Sequence, residues 1–310
     1  MLNWTSLLDR TPKSLDRPLW LDAPDAAQRA SAAKVSEEAR QVALDLITKG
    51  ISVLRGVQDP AICQRVIADY QSFCGQSPDL HASSLDESGR EKRLVNFHHY
   101  SDAAMQIGTN PRLMSILDFL FGAEACVYTS LTFKYSTQQP VHRDTPHFAT
   151  WPRNYFAGVW TALEDIDPEA GPLFYYEGGH RFMIDQAEIW QRVQRDRPDL
   201  SRDDALTLAL DLYNGQVIDT APQHGTYRTM EMKRGDVVIW HPELPHGGSL
   251  AIDPSKSRWS TVFHCAPVKK QVHQHEGFFE HAGKNEPPAR YTYKKAYERK
   301  VALAGDVEFQ

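Results

Sequence analysis

No stretch of the 310 residues approaches the roughly 18 consecutive apolar positions that a membrane-crossing helix needs. A mean hydropathy of −0.49 agrees, and a membrane is not among the expected partners. Cysteine is sparse as well: Cys63, Cys74, Cys126 and Cys265 are scattered and form no C-x-x-C pair. That spacing points away from a disulfide framework and toward free thiols in a reducing cytoplasm. Positive charge is not in excess. With 34 Lys and Arg against 40 Asp and Glu, the chain lacks the basic face that a phosphate backbone requires, so nucleic acid is not expected. Met1-Leu-Asn-Trp-Thr-Ser is not a charged segment leading into an apolar core, and no secretory signal is expected. Internal repeats, low-complexity tracts and an interdomain linker are also missing.

What is present is enough apolar material, 41% of residues, to build one large core. A single domain over residues 1–310 is the expectation, opening with an N-terminal arm over 1–35. Ser36 reads as the cap of a helix whose Ala39, Val42, Ala43, Leu46 and Ile47 follow the 3.6 period, with Gly50 as its stop. Asp59-Pro60 and Asn110-Pro111 each read as a cap followed by proline at the first helical position. Residues 75–93 are polar and rich in turn formers, which predicts a long loop. His98 and His99 are adjacent, so on a strand they point to opposite faces and make a poor metal pair.

From Ala125 the pattern changes to strands rich in β-branched and aromatic residues, over 125–135, 155–163, 173–176, 227–232, 236–240 and 258–266. Ser201 and Asp204 form a capping-box variant inside a helical stretch over 185–225 that interrupts these strands. The position suits a lid. The polar, aromatic stretch 268–310 is expected to be a solvated tail wrapped around the body.

Within the strands, His142 and Asp144 stand two residues apart, so on an extended segment both side chains leave the same face. They make half a metal site. The other half is sought at Gly235-Asp-Val-Val-Ile-Trp-His-Pro-Glu-Leu-Pro-His246. Two histidines and one carboxylate form a facial triad, which suits Fe(II) and leaves coordination positions open. His241 competes with His246 for the distal place; the Gly-Gly-Ser that follows His246 and its distance from Arg258 favour His246. Alternation puts Arg258, Ser260 and Val262 on one face of the last strand and Trp259, Thr261 and Phe263 on the other. A guanidinium facing inward calls for an anion, which implies a dicarboxylate that chelates the metal at one end and meets Arg258 at the other, with Ser260 as a hydroxyl donor.

The segments Gln139-Pro-Val-His142-Arg-Asp144-Thr, Trp160-Thr-Ala-Leu-Glu-Asp, Gly171-Pro-Leu-Phe-Tyr-Tyr-Glu-Gly-Gly-His180-Arg, Gly235 to His246 and Ser257-Arg258-Trp-Ser260 follow one another in order over roughly residues 125–267. Together they resemble the phytanoyl-CoA dioxygenase family. The resemblance implies a mainly β fold with flanking helices, a double-stranded β-helix or cupin-like jelly roll with a helical insertion. It implies Fe(II), 2-oxoglutarate and O2, with His142, Asp144 and His246 as metal ligands and Arg258 on the distal carboxylate. Trp160 falls where the family packs a side chain beside the co-substrate, with Gln139 near it. The implied reaction is hydroxylation of a small molecule, with release of succinate and carbon dioxide. Desaturation, epimerisation or ring formation is the alternative within the same chemistry, and a non-catalytic jelly-roll binding protein is the alternative outside it. Halogenating members lack the carboxylate ligand, because chloride takes its position, so Asp144 favours hydroxylation. The chain departs from the family pattern at Arg143, where glutamine is common and which is expected to alter pocket charge. It departs again at Gly178-Gly-His180, read as a turn variant of Gly-Ser-His.

The remaining histidines carry weaker expectations. His147 either lines the substrate pocket or is structural, His180 fixes a turn, and His241 lies at a strand end. His273, His275 and His281 belong to the tail. Arg192, Arg195, Arg197 and Arg202 are expected on an exposed helix face.

Overall fold

The computed structural model describes residues 15, 17–76, 78–87, 89–280 and 288–310. The first half is mostly helical: α1 (Ala26–Ala32), α2 (Glu37–Lys49), β1 (Ile51–Leu54), α3 (Pro60–Gln76), α4 (Pro78–Ser83), β2 (Leu94–Val95), α5 (Asp102–Gly108) and α6 (Pro111–Phe121). Their ends follow local chemistry. Ser36 Oγ accepts the Ala39 N–H at 3.2 Å, and Gly50 closes α2 with φ +81°, a left-handed conformation that favours glycine. Asn110 caps α6 by accepting the Arg112 N–H at 2.9 Å.

The second half supplies β3 (Ala125–Phe133), β4 (Ala157–Ala162), β5 (Leu173–Glu177), α7 (Gln186–Asp196), α8 (Arg202–His224), β6 (Thr226–Thr229), β7 (Val237–Trp240), β8 (His246–Gly248), β9 (Ser260–Pro267), α9 (His275–Glu280), β10 (Tyr293–Ala296), β11 (Arg299–Ala302) and β12 (Glu308–Phe309). The larger sheet runs β1-β7-β4-β9-β3-β11-β10, with β2 on β3 and β12 on β2. The smaller is β6-β5-β8. This is the antiparallel, helix-flanked jelly roll that the resemblance implied.

Strand β9 shows how the sheet divides its two faces. Trp259, Phe263 and Cys265 join Val66, Tyr70, Ile107 and Leu117 in the core beneath the helices. Arg258, Val262 and His264 point the other way, into a cavity. A strand buried on both faces is stabilised from two sides, which suits an element that carries functional groups.

Two parts of the chain differ from expectation. The polar stretch 75–93 contains α4 and an antiparallel bridge between Leu85 and Glu91, so it is not one long loop. The polar C-terminal stretch forms β10, β11 and β12 instead of a solvated tail. Strand β11 pairs parallel with β3 at Val301 and Val127, both fully buried, while β12 pairs antiparallel with β2. Two buried apolar residues, Val301 and Ala302, after Arg299 and Lys300 are too faint a pattern to read as a strand; the pairing comes from the open edge of β3. The larger sheet therefore reaches beyond 125–267 in both directions, to β1 and to β10–β12. Of the arm expected over 1–35, residues 1–14 and 16 lie outside the described set, as does His281.

The 185–225 stretch is helical, as α7 and α8. Ile189, Val193, Leu206, Tyr213 and Val217 pack with Phe278 and Phe279 of α9 into a second core. That apolar surface turns the insertion toward α9, and none of its residues lines the cavity.

Candidate metal centre and its cavity

His142 and His246 face each other across an isolated antiparallel bridge. The His142 N–H donates to the His246 carbonyl at 2.9 Å and the return bond is 3.0 Å. The Asp144 N–H donates to the Pro242 carbonyl at 3.2 Å, and the Asp144 carbonyl accepts from His147 and Phe148 in a tight turn. Backbone pairing thus sets the three side chains together. One ligand atom from each of His142, Asp144 and His246 lies within 4.8 Å of the others. His246 Nε2 and Asp144 Oδ1 are 3.8 Å apart.

The hydrogen bonds around these groups leave the right atoms free. His142 Nδ1 lies 2.9 Å from the Pro140 carbonyl and His246 Nδ1 lies 3.0 Å from the Leu244 carbonyl. A carbonyl only accepts, so each Nδ1 carries the proton and each Nε2 keeps its lone pair. Asp144 Oδ2 accepts the Trp240 indole N–H at 2.7 Å, which leaves Oδ1. Gly158 makes room for that indole: a Cβ there would sit 2.3 Å from it. Burial, and then the neighbouring His246, push His142 down to about 4. Burial alone would raise Asp144, but His246, His264, His142 and the Trp240 N–H together hold it below the usual carboxylate range. A neutral His142 imidazole beside an ionised Asp144 is the protonation pattern a cation needs.

Arg258 sits in the same cavity, 3% exposed, with its guanidinium 6.0 Å from the centre of the Trp160 ring. Burial lowers it to about 10, and Nε has no hydrogen-bond partner. The Ser260 hydroxyl, on the same face of β9, also has none. Ser260 is fully buried and is not among the residues that line the cavity. A buried guanidinium is costly without an anion, so Arg258 fits a carboxylate. Trp160 and Gln139 line the cavity, whose volume is 380 Å³.

His241 lies elsewhere. Its Nε2 is 3.0 Å from Asp22 Oδ1, its Nδ1 accepts the Glu243 N–H at 3.2 Å, and its ring is 5.3 Å from that of His180. The side chain of Arg143 also points away from the cavity, contrary to expectation, because it alternates with His142 and Asp144. It is 1% exposed, pairs with Glu243 at 3.1 Å, and donates to the carbonyls of Gly179 and Phe182 at 3.0 and 2.9 Å. His147 lines the cavity. His273 serves a backbone bridge to Ala149. On the insertion, Arg195, Arg197 and Arg202 pair with Asp196, Asp199 and Glu280 at the surface.

A family model for phytanoyl-CoA dioxygenase matches residues 47–252, about two thirds of the chain. The chain belongs to the phytanoyl-CoA dioxygenase family. Within that family, the peroxisomal phytanoyl-CoA dioxygenase of Mus musculus is 26% identical over 141 residues, which span 45% of this chain and 35% of the mouse protein. The match thus covers about a third of that relative's length. Among solved structures, the epimerase SnoN in complex with Fe3+, alpha ketoglutarate and nogalamycin RO has a TM-score of 0.58 at 16% identity, covering 87% of this chain and 96% of SnoN. EctD from S. alaskensis with 2-oxoglutarate and 5-hydroxyectoine has a TM-score of 0.58 at 17% identity, covering 94% and 93%. The carbocyclase SnoK from nogalamycin biosynthesis has 0.56 at 16%, covering 90% and 100%. At these identities the likeness is one of fold.

In this family member the cavity also holds residues that sequence reasoning missed. His264 continues the alternation from Arg258, Ser260 and Val262, so the period-two pattern could have found it; burial pushes it down to about 4. Arg93, Asn96, Glu308 and Gln310 come from β2, β12 and the residues flanking them. No local signal marks them, because a long-range strand pair brings them to the cavity.

Proposed function

We propose that this family member is an Fe(II)- and 2-oxoglutarate-dependent dioxygenase that hydroxylates a small organic molecule, releasing succinate and carbon dioxide. The observation that carries the reading is one cavity holding three convergent ligand atoms and a buried arginine that, among the described residues, has no carboxylate to match it. His142 and His246 would hold the ion through Nε2, and Asp144 through Oδ1. Arg258 and Ser260 would take the distal carboxylate of 2-oxoglutarate, with Trp160 packed beside it and Gln139 on the same wall. When bound, iron and co-substrate supply the activation of O2 and the removal of hydrogen from substrate.

The protein's own residues orient and exclude. The Pro140 and Leu244 carbonyls fix both imidazoles in the Nδ1–H form, Trp240 turns the carboxylate, and Phe133 and Val262 help keep water out. We take residues 1–310 as a single oxygenase domain. Its four free cysteines, three of them buried, suit a reducing cytoplasm. Asp144, as a third protein ligand, favours hydroxylation over halogenation. A second reading keeps the iron chemistry but ends in epimerisation, desaturation or ring closure; an epimerase and a carbocyclase of the same fold support it. A purely binding jelly roll has no use for a buried arginine beside three ligands.

Anaerobic addition of Fe(II) and 2-oxoglutarate is expected to give a weak visible charge-transfer band. His246→Ala should lose both the band and succinate formation, while His241→Ala should keep them. No band in the wild type would sink the oxygenase reading. Turnover retained in the His246 variant would move the ligand elsewhere.

A further inference from the structure

The cavity contains a second arginine that the proposed reaction leaves unused. Arg93 precedes β2, and alternation sends Arg93 and Val95 to the cavity while Leu94 enters the helical core. Its backbone is held in place, because the Arg93 carbonyl accepts the Gln310 N–H at 2.9 Å. The side chain is half-buried, and among the described residues no carboxylate pairs with it. Burial lowers its pKa, as expected of a cation withdrawn from water without a counter-charge. Its charge also reaches two cavity imidazoles: burial first, and then Arg93 among other neighbours, depress His147 and His264.

Charge in the loaded cavity makes Arg93 the surplus. A divalent iron and Arg258 together cancel Asp144 and the two carboxylates of 2-oxoglutarate, with the imidazoles neutral. Glu308, the other acid on the cavity wall, is exposed at the rim, and its Oε1 accepts from Gln310 Nε2 at 2.7 Å. With Glu308 left to solvent, the positive charge that remains on the wall is that of Arg93, on the side of His147 and His264. The same wall mixes the apolar Val95, Leu131, Phe133 and Phe148 with the polar Asn96, Thr129 and Gln139, so it offers an apolar body a surface with polar groups beside it. At 380 Å³ the cavity is at the low end of the roughly 300–1,000 Å³ typical of ligand sites, and it must also admit the co-substrate.

Building on the oxygenase reading, we propose that the primary substrate is a small molecule with an apolar body and an oxyanion, carboxylate or phosphate, and that Arg93 binds that oxyanion. Arg93 is then a specificity-determining residue: it orients the apolar body toward the metal by holding the substrate's charged end.

The test uses the full-length protein loaded with Fe(II) and saturating 2-oxoglutarate without oxygen, titrated calorimetrically with benzoate, phenyl phosphate and benzamide. At least one anion should bind at least about tenfold more tightly than benzamide, as expected of charge-assisted hydrogen bonds. Which anion binds identifies the oxyanion. The preference should vanish in Arg93→Gln and persist in part in Arg93→Lys, which keeps the charge; an anion bound directly to iron would keep its preference in Arg93→Gln. Equal affinity for all three probes, no binding by either anion, or a preference surviving in Arg93→Gln overturns the proposal. Titrating wild-type Fe(II) protein with 2-oxoglutarate beforehand separates the two readings. No 2-oxoglutarate binding defeats the oxygenase reading itself, whereas intact binding without an anion preference defeats only the role of Arg93.

Discussion

The indole of Trp240 shows how closely single atoms govern this site. Its N–H holds one oxygen of Asp144 at 2.7 Å and so selects the other for the metal. Trp240→Phe keeps the ring and removes the bond. We expect the affinity for Fe(II) to fall by about 10–100-fold, the usual cost of losing an outer partner of a ligand; competition against a chelator measures it. Unchanged affinity would mean that Asp144 is oriented by the backbone alone. At this scale much was legible in the sequence. His142 and Asp144 announced themselves through a short spacing, since residues two apart on a strand share a face, whereas His246 and Arg258 were picked out by the Gly-Gly-Ser context, their mutual distance and the family resemblance. Arg143 was misread for the same reason: the alternation that turns its neighbours inward sends it out to Glu243. Arg93 left no local trace.

Among the elements, the C-terminal strands deserve the closest test. Strand β12 covers the edge of β2, and its neighbour Gln310 holds the carbonyl of Arg93, so a terminal segment supports one cavity wall. Deleting residues 303–310 removes that pairing. Unfolding in urea should show a loss of about 1–3 kcal/mol, the contribution of a few backbone hydrogen bonds. The anion preference assigned to Arg93 should weaken as well, because its backbone loses an anchor. A truncated protein with wild-type stability would mean that β12 contributes nothing to the sheet. The helices of the first half and the central strands were readable from caps and periodicity. Strands β10 to β12 were not, because β11 and β12 pair with edges that β3 and β2 leave open far away in the chain, and β10 in turn pairs with β11.

Across the whole molecule, burial of neutral histidine makes stability depend on pH. His180 is 9% exposed and is pushed down to about 3, by burial first and then by His241 and Arg181, with Asp22 opposing. Gly50 packs directly against its ring: a Cβ there would lie 2.6 Å from it. An unfolded chain protonates this imidazole near pH 6.5, whereas the folded chain keeps it neutral. Between these values the unfolded state binds more protons, so stability rises with pH and is lost as pH falls from about 6.5 toward 3. The slope from one such group approaches about 1.4 kcal/mol per pH unit. His180→Gln should flatten the profile of unfolding free energy over that range by up to this amount. A profile unchanged in the variant would place the acid sensitivity in other groups.

The pairing of Glu177 with Thr226 across β5 and β6 has a consequence for how such a protein can change. Residues 178–225, both insertion helices included, leave and re-enter the smaller sheet at adjacent positions of one hydrogen-bonded ladder. The excursion is topologically a hairpin loop, whatever its length. Closing a longer loop costs little, only about 0.6 kcal/mol per doubling. A lineage could therefore lengthen, shorten or exchange this module while the bridge between His142 and His246 stays in register, so the chain carries a socket for new surface beside a fixed reaction centre.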